Sequence, residues 1–502
     1  MGRVHTRSRS IMTPWIRDFI DNRIFGPNHR WWALWVVVVS VFIATTDVGM
    51  LTISLPVIIT EFRTDITFAG WIVFVYALVT GALYLPCGRL SDLLGRKLTF
   101  SAGFLVYGVA SMLAGLAQGP ALLMGCRVGQ AVGAALMMTN TFALTASLFT
   151  GPDRGRAMGL SGGLVSAIGF TLGPVVGGFI TFTLGWRYIF FISGTLSFIG
   201  LAAARFLLLD DRGSGGREAR EPFDFAGAAL FAVGLTFLLL GITRGGLGYW
   251  GFPLSALFLT LFVWREATCP YPILDLALLR IVPFAVGNLA RLCTFVALST
   301  NELMMPFLLQ LVLRMDPLEA GSMMTATALV LMVVSPSAGW LTDRIGSTLP
   351  AAAGATVVAV AMYAMSLLGP DSGPAEIVPR LALLGVGLGL FQTPNNHSLI
   401  GSVPPERLGI ASSVISIIRS VGRSLGTAIA TAFVGMRLAA ATNQSAPQDL
   451  AALNIVDTPR LLTAFMEGYG HAYTTAACLG LSALVFTMVA AAGRVTSTGD
   501  RA

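Results

Sequence analysis

Residues 88–97 read Gly-Arg-Leu-Ser-Asp-Leu-Leu-Gly-Arg-Lys, and residues 339–347 read Gly-Trp-Leu-Thr-Asp-Arg-Ile-Gly-Ser. Each is a charged gap between long apolar runs, and their aspartates, Asp92 and Asp343, stand 251 residues apart. Arg127 and Arg380 recur at an offset of 253, as do Asp153-Arg154 and Glu406-Arg407. Three coincidences near one offset describe an internal parallel repeat, two six-helix halves related by an axis along a membrane normal.

Composition supports a lipid solvent. Of 502 residues, 55% are hydrophobic and 11% charged, against about 25% charged in a soluble domain. The 56 glycines show no period and sit inside apolar runs, where membrane helices use them for close packing. The net charge of +7 does not mark a nucleic-acid binder, because the arginines fall in short gaps between apolar runs, as membrane orientation requires. Five cysteines, odd in number and without metal-ligand spacing, imply neither disulfides nor zinc.

A helix needs about 20 mostly apolar residues to cross the hydrocarbon core. That window predicts fourteen spans, beginning near Trp32, Ala69, Leu98, Ala121, Ala157, Tyr188, Phe225, Trp250, Phe284, Ala320, Leu349, Ile377, Leu408 and Ala472. The first run is too long for a cleaved leader and is expected to remain as a helix. With both termini in the cytoplasm, 21 of the 32 basic residues fall inside, 7 outside and 4 within spans, an inward bias that an odd span count would break. The predicted organisation is therefore all-α and polytopic. A basic N-terminal segment (1–30) precedes a six-helix half (31–208), then a linker with two extra helices (209–280), a second six-helix half (281–493) and a cytoplasmic tail (494–502). Residues 11–25 form either an interfacial helix or an irregular basic tail. The polar stretch 436–470 is expected outside.

The residues also resemble a family. Gly88-to-Lys97 is similar to the loop motif of the major facilitator superfamily, and Arg127-Val-Gly-Gln130-Ala-Val-Gly133 resembles its fourth-helix motif. Gly169-Phe-Thr-Leu-Gly173-Pro174-Val-Val-Gly177-Gly178 resembles the fifth-helix motif of its antiporters, and Asp47 through Pro56 the first-helix motif of the fourteen-helix drug:proton antiporter branch. The second loop copy ends in Gly346-Ser347 without a basic pair. Leu160 replaces a glycine expected nine residues before Gly169, and Arg423 replaces one in helix 13.

An ionisable side chain at mid-bilayer costs at least about 2.5–3.5 kcal/mol, so each is a functional candidate. Asp47 lies about 15 residues into its run, roughly 22 Å by helical rise. Desolvation there penalises the carboxylate, the condition for loading and releasing a proton, and Arg127 would stabilise the charged form. A structural ion pair or cap is the alternative. Glu302, in the repeat counterpart of helix 1, is either a third proton-coupling or substrate residue or an interfacial carboxylate. Arg419 and Arg423 share a face four residues apart; they line the cavity or pair with Glu302 or a backbone carbonyl. Gln392, Asn395, Asn396 and His397 form a polar cluster for substrate hydrogen bonding or interhelical adhesion. Arg291, Gln130, Asn140, Trp71 and Tyr76 complete the expected cavity, although the two aromatic rings suit packing or an interfacial belt as well. Gly88, Asp92, Gly95, Arg96, Lys97 and Asp343 suit a gating latch, or a tight turn with orienting charges. Gly169, Gly173, Pro174, Gly177 and Gly178 allow close helix approach, and the resemblance implies antiport.

Scattered histidines, no phosphate-cradling loop and no nucleophile elbow speak against an enzyme, a cofactor or a bound metal. The expected function is multidrug-type efflux: export of amphiphilic small molecules in exchange for protons across the inner membrane of a bacterium, with a role in antibiotic resistance. The alternative is a lipid or lipid-linked metabolite exporter or flippase. Expected partners are the substrate, protons and membrane lipid, with no nucleic acid.

Overall fold

The computed structural model describes residues 29–149, 157, 165–208, 224–242, 250–269, 278, 280–403, 408–442 and 458–499. These form fourteen helices: α1 His29–Phe62, α2 Ile66–Leu94, α3 Arg96–Gly115, α4 Pro120–Leu148, α5 Val165–Thr183, α6 Arg187–Leu207, α7 Phe225–Ile242, α8 Gly251–Thr268, α9 Val282–Phe307, α10 Pro317–Ile345, α11 Thr348–Ser366, α12 Pro374–Gly401, α13 Leu408–Thr442 and α14 Pro459–Gly499. Eleven are long and apolar enough to cross a membrane; α5 and α7 contribute shorter apolar stretches, Leu172–Thr183 and Phe225–Leu238. The last turn of α8 carries Arg265 and Glu266.

The repeat reappears as backbone geometry. Arg63 and Arg314 both take a left-handed conformation, with φ of 52° and 54°. Two residues on, Asp65 and Asp316 cap α2 and α10 through bonds from the amides of Phe68 and Glu319. At the other ends, Gly95 and Gly346 have φ of 94° and 83° and donate to the carbonyls of Ser91 and Thr342. Glycine is needed at those exits because a Cβ disfavours positive φ.

Helices α1–α6 pack among themselves, as do α9–α14, and the two groups meet along α5/α10, α2/α13 and α1/α9. Helices α7 and α8 form a hairpin outside, with Phe231, Leu235 and Leu238 against α2 and α13. The tight contacts between the groups lie toward the α1–α2 turn. Gly178 meets Pro317, Gly321 meets Pro174, and Gly70 meets Thr431. After Pro306, α9 continues through a π turn, Leu308–Val312, from which Gln310 Nε2 donates to the Ile53 carbonyl of α1 at 2.6 Å. Deeper in, Gly81 still touches Ser420. The bundle is thus sealed at the end that holds the α1–α2 and α9–α10 turns.

The stretch 436–470 is more helical than expected. Helix α13 runs to Thr442 and α14 starts at Pro459, and Arg437 pairs with Glu467 across them at 3.2 Å. Apolar length locates a span's core but not how far beyond the bilayer its hydrogen-bonded turns continue. The segment 11–25 and the charged stretch 210–221 lie outside the described residues.

Candidate functional site

Asp47 and Arg127 meet in the first group of helices. The guanidinium Nη1 donates to Asp47 Oδ2 at 2.8 Å, and the two side chains are 0% and 1% exposed. Arg127 also donates to Gln130 Oε1 at 2.8 Å, and Gln130 passes a bond to Ser111 Oγ on α3 at 2.7 Å. The Tyr76 ring of α2 lies 4.4 Å from the guanidinium carbon, a cation–π contact. Asp47 Oδ1 and Arg127 Nε have no hydrogen-bond partner among the described residues, and the buried Tyr107 hydroxyl stands beside Asp47. The pair is held, with spare capacity left on each partner.

Asp47 turns toward Arg127 of α4, while α5 packs on a neighbouring face of α1. Gly169, Gly173 and Gly177, four residues apart on one face, lie against Thr45, Gly49 and Met50 of α1; a Cβ at Gly173 would stand 2.9 Å from Gly49 Cα. Gly178 meets α10, and Pro174 lies between the two neighbours, its ring against Gly49 of α1 and its carbonyl against Gly321 of α10. One helix therefore packs on α1 beside the acid and also touches the opposite group.

The second group carries its own pair. Glu302 of α9 accepts from Arg423 Nη2 at 2.8 Å, each side chain 15% exposed. Ser299 ties the same helices through the Arg423 carbonyl at 2.9 Å and Thr427 at 3.0 Å. Tyr76 thus sits on Arg127 from α2, a helix that also packs on α13, which carries Arg423. Arg291 donates to Asn396 Oδ1 of α12, stacks 5.0 Å from the Phe295 ring centre, and faces Arg419 of α13.

Other expected cavity residues lie elsewhere. Asn140 is 1% exposed and clamps the α2–α3 junction, bonded to Ser91 and Thr99. Trp71 packs edge-on to Phe74 at 4.7 Å in the apolar contact with α7 and α13. Asn395 is buried in a narrow cleft with Gly287, Ser347 and Thr348, its amide nitrogen unpartnered among the described residues. Gln392 is half-buried and His397 exposed. In the loop, Gly95 makes the turn, Gly88 has open space beside it, and Arg96 and Lys97 begin α3. The side chains of Asp92 and Asp343 lie outside the described residues.

Ser111, Tyr107, Ser91, Thr99 and Gln310 were not singled out from sequence. A lone hydroxyl or amide in an apolar run is too common to signal a network, and only the neighbouring helices reveal it.

Among known proteins, a 31% identical relative over 400 residues is the riboflavin transporter RibZ of Clostridioides difficile (strain 630), matched over 78% of this chain and 86% of that one. The puromycin resistance protein pur8 of Streptomyces alboniger is 28% identical over 493 residues, covering 93% and 92%. The multidrug transporter protein MdtP of Bacillus subtilis (strain 168) is 26% identical over 396 residues, covering 77% and 72%. In fold, the chain is similar to a bacterial homolog of the human lysosomal transporter Spinster, solved inward-facing and unoccupied, with a TM-score of 0.66 at 17% identity over 94% and 98% of the chains. The Major Facilitator Superfamily pattern matches residues 37–427. With eleven helices fit to cross a membrane, paired helix groups and that match, this polytopic membrane protein belongs to the Major Facilitator Superfamily.

Proposed function

We propose that the chain is a proton-coupled exporter of amphiphilic small molecules in the bacterial plasma membrane, with fourteen spans and both termini cytoplasmic. The observation that carries this reading is the buried Asp47–Arg127 pair, set in α1 and α4 with the glycine face of α5 packed on α1. A proton on Asp47 removes the charge that holds Arg127, and the guanidinium then relaxes toward Gln130 and Tyr76. Because α5 also touches α10, a change at Asp47 is felt where the two groups meet. With cytoplasmic termini, the sealed end is the outer one.

Two relatives carry resistance or multidrug names, which supports export, and drug:proton antiport is the branch to which the motifs point. One proton entering down about 100 mV releases about 2.3 kcal/mol, enough for roughly forty- to fifty-fold accumulation. The test is proton movement in proteoliposomes on adding neutral, anionic and cationic amphiphiles, with the unaltered protein and Asp47→Asn side by side. Substrate-triggered proton flux lost in Asp47→Asn is the expected result. Substrate movement without protons, unchanged by the substitution, would return Asp47 to a structural role and favour a facilitator or flippase.

A further inference from the structure

The charges in the second group do not balance. Arg423 is committed to Glu302, but Arg419, one turn nearer the start of α13, makes no ion pair among the described residues, and neither does Arg291. Arg291 is 5% exposed, with Nε unpartnered and one η nitrogen on Asn396. Arg419 stands close enough to act on it electrostatically. Arg291 is buried, Arg419 half-buried and Asn396 exposed, so the cluster opens to one side, and two like-charged guanidiniums on neighbouring helices repel each other. Asn396 supplies a neutral acceptor, and Phe295 a ring face; no carboxylate of the chain closes the cluster among the described residues.

We propose that Arg291, Arg419 and Asn396 form an anion subsite that receives the carboxylate, phosphate or sulfonate of the transported molecule. The assignment rests on the exporter reading and narrows it to acidic amphiphiles. Two planar donor forks suit a two-oxygen anion, and the repulsion between them is relieved when it arrives. Phe295 offers the adjoining apolar surface. Glu302 and Arg423, already neutral as a pair, lie further along the same helices and leave the excess positive charge where the anion would sit.

The test uses purified full-length protein and three probes with one ring system: a pyrene alkanoate, the matching alcohol and the matching trimethylammonium. Binding is read by tryptophan-to-pyrene energy transfer. The alkanoate is expected to bind at least about tenfold more tightly than the other two, with inorganic sulfate competing against it alone. Arg291→Gln and Arg419→Gln should each erase that preference while leaving affinity for the alcohol within about twofold, and Arg291→Lys should retain part of it. Equal affinity for all three probes would overturn the proposal, as would variants that weaken alcohol and alkanoate alike. Bilayers with and without phosphatidylglycerol separate the sources of the anion: displacement of alkanoate by that lipid, lost in Arg291→Gln, supports the site and assigns its occupant to a headgroup. Arginine-dependent alkanoate binding without proton flux would sink the antiport reading and leave the subsite standing.

Discussion

Removing one partner of the Asp47–Arg127 pair should have unequal effects, because Arg127 has further partners in Gln130 and the Tyr76 ring, whereas Asp47 Oδ1 has none among the described residues. The nitrogen–oxygen distance is 2.8 Å with both side chains buried. With charge centres about 4 Å apart and an effective dielectric of about 20, the attraction is about 4 kcal/mol, and breaking a buried pair costs about 3–5 kcal/mol. In Asp47→Asn, Arg127 stays charged but keeps Gln130 and the Tyr76 ring. The expected loss is therefore at the low end, about 3 kcal/mol. Arg127→Gln removes the one charged group bonded to Asp47, so its expected loss is at the high end, about 5 kcal/mol. The double variant should recover to within about 1 kcal/mol of the parent, since no buried charge is left over. The assay is reversible denaturant unfolding in mixed micelles, with all four proteins. Losses that add without interaction would refute the argued coupling.

Three further outcomes are expected. Gly177→Leu should destabilise the fold by about 3 kcal/mol or more, because its side chain would press on the Met50 backbone of α1, whereas Gly125→Ala, with open space around it, should be near neutral by the same unfolding assay. Asn140→Ala should cost about 1–3 kcal/mol and leave the probe affinities of the unaltered protein, since it takes the acceptor from the buried Ser91 hydroxyl and one donor from Thr99, at the α2–α3 junction rather than at a binding group. Burial works to raise Asp224, but donors from Arg265 and Gly227 prevail and hold it below the usual carboxylate range. Its stabilisation is present above the unfolded value of about 3.9 and is lost as pH falls through the lower folded value, so Asp224→Asn should flatten the acid limb of a thermal-stability profile.

The sequence by itself determined the apolar runs that become helices, their repeat and the few residues that membrane burial makes costly. These are local quantities: run length, an offset of 251 residues and the expense of a charge in hydrocarbon. It also narrowed the partners, for Asp47 with Arg127 was expected from chemistry, while Arg419 and Arg423 were left between lining the cavity, Glu302 and a backbone carbonyl. Only the packing of α9 on α13 chose Arg423 and left Arg419 beside Arg291. Asn140 and Trp71 show why the choice was not legible earlier. A polar or aromatic group in a span announces that it needs a partner, but a helix whose lipid and protein faces are equally apolar carries no pattern saying which way that group turns. The azimuth of each helix, the glycine contact of α5 with α1 and the closed end at Gln310 and Gly178 arise from contacts between segments more than 100 residues apart, so tertiary structure alone decided them.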